Sequence, residues 1–168
     1  MSRVLLTDDG IKHVLAGEGY EVRRIAELTY RGRLLAGGRR LTFHLRIDPA
    51  GYVVCAVVPF LRSPVDEATA YRLYLRMMGL NQQLMMAKLS IDDDLDVVLS
   101  VEYPSPQLDE SELADAVHIL AYYADQHLDE LLELAAGGDP EPRVSLPPPP
   151  RAPASDAAVG SRPKGPDA

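Results

Sequence analysis

One cysteine, no lysine or arginine anywhere between residues 89 and 137, and no apolar run of membrane-spanning length set the first limits on this chain. A lone Cys55 cannot form an intramolecular disulfide, and its place in YVVCAVV marks it as a small buried hydrophobe before a nucleophile. A reducing compartment fits. The N-terminal MSRVLLTDDG has neither a long apolar region nor a small-residue cleavage site, so neither a leader nor a membrane span is expected, and the protein is expected to be soluble and cytoplasmic. Also missing are a phosphate-binding glycine loop with its lysine, a Gly-x-Ser-x-Gly elbow, and Cys and His clusters at zinc spacing. His13, His44, His118 and His127 are scattered, the last two nine apart on one helix and out of step for a shared site. Neither an enzyme nor a bound cofactor or metal is therefore expected.

What is present suffices for one domain with a proper core: 168 residues, 46% of them hydrophobic. That domain is expected over residues 1–137. Residues 138–168 hold 9 of the 14 prolines, with Val144, Leu146 and Val159 as the only larger apolar residues. Such a segment cannot bury enough surface to offset its ordering entropy, so a disordered Pro-rich tail is expected there. Charge is distributed unevenly. Residues 1–88 carry 13 Lys and Arg against 8 Asp and Glu, residues 89–137 carry 13 acids and no base, and the tail balances at four of each. An acidic surface of this strength opposes nucleic acid and membrane and suits a basic or polar protein partner, although solubility alone also explains it.

The stretch LSIDDDLDVVLSVEYP places Asp92, Asp94 and Asp96 at alternate positions, as the first ligands of a calcium loop would be. The turn glycine and closing glutamate of such a loop are replaced by Val97 and Tyr103. On either side, Leu89 and Ile91, then Val97, Leu99 and Val101, alternate with polar residues or with a second apolar set. The pattern predicts an antiparallel hairpin whose charged tip stays in water, with a weak cation site as the lesser alternative.

The other elements follow from local signals. Thr7-Asp8-Asp9 caps a short first helix. Tyr20–Tyr30 predicts a first strand, followed by a loop RGRLLAGGR; Leu41–Ile47 alternates cleanly as a second strand; Tyr52–Val58 is a third, apolar on both faces. Ser63 and Pro64 predict the start of a second helix, carrying Leu73, Met77 and Leu80. Asp109 and Glu112 form a capping box for a last helix with Leu113, Val117, Leu120, Ala124, Leu128 and Leu131 in one stripe and acids opposite. The order is helix, three strands, helix, two strands, helix: an α+β domain with helices packed on an antiparallel sheet.

That order, with YLRMMGLNQQLMMAKLSIDDDLDVVLSVEYP followed by an acidic amphipathic helix, resembles the YbjN domain family and the wider type III secretion chaperone-like (Tir chaperone-like) superfamily over residues 7–135. Family turns at this hairpin often read Asp-Gly, from which Asp93-Asp94 departs. The resemblance implies a small homodimer that holds an extended segment of a client or regulatory protein along apolar grooves and sheet edges. The expected function is thus a non-enzymatic, chaperone- or adaptor-like protein-binding module. The alternative is a stress-response regulatory protein that binds a small ligand or nucleic acid.

An open antiparallel sheet permits strand capture, since edge main-chain groups can pair with an added segment. The candidate partner-binding surface is strand three and the second helix: Val53, Val57, Phe60, Met77, Met78 and Leu80. Arg23, Arg24, Arg31, Arg33, Arg39, Arg40 and Arg46 gather around the first two strands, but without interleaved aromatics or a reading helix they make nucleic acid an unlikely partner. Pairing of this basic region with the acidic last helix, within one subunit or across a dimer, is the simpler expectation.

Overall fold

Gly37 and Gly38 take φ of 55° and 69°, the two positive values that a two-residue hairpin of the primed type requires. They join two strands in the computed structural model, which describes residues 7–105 and 108–140. Its elements are α1 (Asp8–Gly17), β1 (Val22–Ala26), β2 (Thr29–Ala36), β3 (Arg39–Asp48), β4 (Tyr52–Arg62), α2 (Glu67–Asn81), β5 (Ala87–Ile91), β6 (Asp96–Pro104) and α3 (Glu110–Ala135). The six strands form one antiparallel sheet in the order β1-β2-β3-β4-β6-β5. The α+β class and the alternation of helices with strands agree with the sequence reading.

One expected strand divides into two. The chain reverses at Glu27-Leu28, with Leu28 at φ 50°, and the stretch RGRLLAGGR, expected to be a loop, supplies most of β2. Its alternation is real: Tyr30, Gly32, Leu34 and Ala36 are buried while Arg33 and Leu35 are exposed. Helix α2 likewise starts later than Ser63 and Pro64 suggest, since Asp66 is the N-cap and accepts from the Thr69 N–H at 2.8 Å. The other boundaries follow local chemistry. Thr7 caps α1, and Asp109 with Glu112 makes the expected capping box on α3.

Helix α3 lies across β2, β4 and β6, and α1 and α2 both pack on α3. All three helices therefore cover one face of the sheet. Between them lies the core, with Phe43, Leu45, Cys55, Val57, Leu99 and Val101 from the strands and Leu113, Leu120, Tyr123 and Leu128 from α3. Gly32 is needed in β2 because a Cβ there would fall 2.5 Å from the buried Phe43 ring, whose edge meets Tyr20 at a centroid distance of 6.1 Å. No helix among the described residues is long and apolar enough to cross a membrane. The expected tail lies, beyond Pro140, outside the described residues.

Candidate functional site

The helices leave the second face of the sheet uncovered by any described element. Register places Arg23 opposite Arg31, Arg31 opposite His44, Arg33 opposite Thr42 and Leu35 opposite Arg40 on that face. Farther across, Ala56 stands opposite both His44 and Ser100. Two bases there are neutralised, Arg46 by Asp48 at 3.0 Å and Lys88 by Glu102 at 2.7 Å. Arg23, Arg31, Arg33 and Arg40 make no ion pair with any described residue.

Strand β1 stops short of the end of β2. Its pairing reaches Gly32, beyond which Arg33–Ala36 has no strand partner on that side among the described residues. Because the Gly37-Gly38 turn closes on Ala36 and Arg39, alternation of the antiparallel ladder directs the main-chain groups of Arg33 and Leu35 away from β3, to the open side. An open groove of about 1110 Å³ lies here. It is walled by Gly19, Tyr20 and Val22 from the start of β1, by Arg31, Arg33 and Leu35 on β2, by Arg40 and Thr42 on β3, and by Leu34 and Ala121 on the helix-covered side, with Glu18 and Glu21 at one end. Such a notch offers unpaired N–H and C=O groups between an arginine wall and an apolar wall.

The opposite edge of the sheet is closed. The Asn81 carboxamide donates to the Leu89 carbonyl at 2.9 Å and accepts from the Leu89 N–H at 2.8 Å, standing in for a seventh strand at that residue. Helix α2 carries Asn81 and is fixed on α3 by a two-pronged Arg76–Glu130 pair, the second contact at 3.2 Å. Glu130 and His127 are only 3% and 2% exposed, and the His127 ring stacks on Tyr123. Neither belongs to the apolar stripe expected of α3; the Arg76 guanidinium, reaching over from α2, is what permits the burial of Glu130. The Tyr123 hydroxyl accepts from the Met85 N–H at 3.0 Å, fastening the α2–β5 connection to α3.

Of the six residues singled out from the sequence, Val53, Val57, Phe60, Met77 and Leu80 lie in the core, and Met78 is exposed. Met78 continues a stripe with Tyr71 and Leu75, which are also exposed, at helical spacing on the outer side of α2. The arginine-lined notch was missed because Arg-Gly-Arg and Gly-Gly read as loop chemistry; the period-two burial of Tyr30, Gly32, Leu34 and Ala36 is the signal that could have found it. The expected pairing of the basic region with α3 occurs within the chain, but at one end only: Asp129 holds Arg39 at 3.1 Å and Asp125 accepts the Gly37 N–H at 2.8 Å.

The aspartate hairpin has a structural role. The Asp92 carboxylate accepts from the N–H groups of Asp94 and Asp96 at 3.1 and 2.9 Å, and Leu95 takes φ 62° to complete the turn. Among the described residues no three His, Cys, Asp or Glu side chains are grouped to hold a metal. Burial pushes the Cys55 thiol up to about 12, so it stays protonated at neutral pH.

Residues 38–141 match the family described as T3SS (YopN, CesT) and YbjN peptide-binding chaperone 1. Among solved structures, a chain of the heterodimeric ExoU–SpcU complex from the type III secretion system of Pseudomonas aeruginosa is 20% identical with a TM-score of 0.53, over 76% of this chain and 98% of that one. YbjN from E. coli is 10% identical with a TM-score of 0.53, over 76% of this chain and 96% of that one. At these identities the likeness is one of fold. No curated protein sequence matches the chain.

Proposed function

Since the chain belongs to the T3SS and YbjN peptide-binding chaperone family, we propose that it captures an extended segment of a client protein by strand addition at the notch beyond Gly32. The observation that carries this reading is the contrast in main-chain pairing: Arg33 and Leu35 direct groups that pair with no described residue to a ready groove, whereas Leu89 on the far edge is already satisfied. A strand laid beside β2 gains main-chain hydrogen bonds, and its alternate side chains meet the two walls of the groove. The protein acts by holding its client, without chemistry, in a reducing compartment such as the cytoplasm. A second copy of the chain packs on the Tyr71, Leu75 and Met78 stripe, an isologous contact that leaves both notches open.

Amide hydrogen exchange of the full chain, with and without a saturating extended peptide, tests the capture site. Protection concentrated in residues 33–36 supports it; protection confined to α2 or β5 refutes it. Sedimentation of Leu75→Glu tests the dimer, with a monomer expected and an unchanged assembly counting against it.

A further inference from the structure

The capture reading leaves the chemistry of the captured segment open, and the charges around the notch narrow it. Arg23 and Arg31 are direct cross-strand neighbours, an arrangement of like charges that costs stability. Arg33 and Arg40 extend the same row toward the open end of β2. The chain has eight more acids than bases, yet no acid among the described residues forms an ion pair with these four guanidinium groups. Asp125 and Asp129 are engaged by Gly37 and Arg39, and Glu18 and Glu21 line the end of the groove at the start of β1. The positive charge of Arg23, Arg31, Arg33 and Arg40 thus has no ion-pair partner among the described residues.

The opposite wall differs. Leu34 and Ala121 face the groove from the helix-covered side, so a strand added beside Arg33 and Leu35 would turn one set of side chains to arginines and the alternate set to aliphatic carbons. Period-two alternation converts two unlike walls into a sequence preference.

Resting on the capture reading, we propose that the occupant is a segment in which Asp or Glu alternates with apolar residues, its carboxylates paired with Arg31, Arg33 and Arg40 and its apolar side chains set against Leu34 and Ala121. Arginine forks suit carboxylates because two parallel N–H donors meet two oxygens. A single-stranded nucleic acid would meet the same charges, but the only aromatic residue of the groove is Tyr20, partly buried and turned onto Phe43, so the stacking platform such a ligand needs is missing.

Fluorescence anisotropy of the full chain against labelled peptides of roughly ten residues, alternating valine with glutamate, glutamine or lysine, tests the idea. The glutamate peptide is expected to bind at least about tenfold more tightly than the glutamine peptide, with the advantage shrinking as salt rises from about 50 to about 500 mM. In the double variant Arg31→Gln/Arg33→Gln the advantage disappears while the melting temperature is no lower than the parent's, since a like-charge pair is relieved. Equal binding of glutamate and glutamine peptides overturns the acidic preference and leaves capture standing. Tightest binding of the lysine peptide does the same. If none of the three binds, capture at the notch fails and the preference with it. Binding of a labelled oligothymidylate that Arg31→Gln/Arg33→Gln abolishes, with no binding of the glutamate peptide, assigns the arginine row to nucleic acid instead.

Discussion

The two ends of the sheet solve the edge-strand problem in opposite ways. At β5 a side chain from α2 occupies the main-chain groups of Leu89, and α2 is itself anchored through a buried ion pair. At β2 the neighbouring strand ends early, and the exposed half is flanked by arginines that form no ion pair with any described residue. Unpaired edges invite indiscriminate association, and charge on the edge is one of the devices that limits it. The contrast teaches that one edge is covered by a side chain from a helix, whereas the other is left with charge and a groove of defined walls beside it.

The largest effect expected on this comparison comes from loosening the closed end. Glu130→Ala leaves the Arg76 guanidinium, 17% exposed, without its carboxylate, and a loss of about 3 kcal/mol in denaturant-measured stability is expected. Replacing both partners by apolar residues, Arg76→Met with Glu130→Leu, should restore most of it; a single variant as stable as the parent would show that α2 does not depend on the pair.

At the open end, Gly32→Val drives a side chain into the Phe43 ring and should cost about 2 kcal/mol, with β1 the first element to lose exchange protection. Loss of protection beginning instead at β5 would break the assignment of Gly32 to this edge. Asn81→Ala removes two hydrogen bonds at Leu89 and should cost about 1 to 2 kcal/mol. It should also make the closed edge sticky, seen as concentration-dependent association; a variant that is destabilised yet does not associate would mean that α2 alone shields β5.

The smallest effect falls on both edges alike, through α3. The Ser111 hydroxyl and the Glu112 N–H, both donating to the Asp109 carboxylate, hold its pKa below the ordinary carboxylate range. A carboxyl depressed in the folded state stabilises the fold above that range and loses its contribution as pH falls through the folded value. Asp109→Ala should therefore cost about 1 kcal/mol at neutral pH, and less as the pH falls below the ordinary carboxylate range. Asp109→Asn should keep most of the stability and flatten the acid limb; an acid limb identical to the parent's would show that the cap does not titrate as argued.

Much of the fold is legible from neighbours close in sequence. Leu41, Phe43, Leu45 and Ile47 alternate, and Asp109 announces α3 with Glu112 three residues on, because both signals depend on residues two to four positions apart. The turn at Glu27-Leu28 is less legible because Leu28 takes positive φ without the glycine or asparagine that usually marks it, so β1 and β2 read as one strand and a loop. The site was legible in its parts and not in its arrangement. Arginines 23, 31, 33 and 40 stand out in the sequence, but their common face requires that RGRLLA be a strand.

By itself the sequence determined where most helices and strands form, which side of each is apolar, and that positive and negative charge would lie in different regions. Only the tertiary structure decided that Glu130 would be buried by an arginine 54 residues away, that Asn81 would close one edge, and that four arginines would line the other. The physical reason is one of range: periodicity and capping act between residues a few positions apart, whereas burial of a charge and closure of an edge depend on groups that meet only once the sheet and helices have packed.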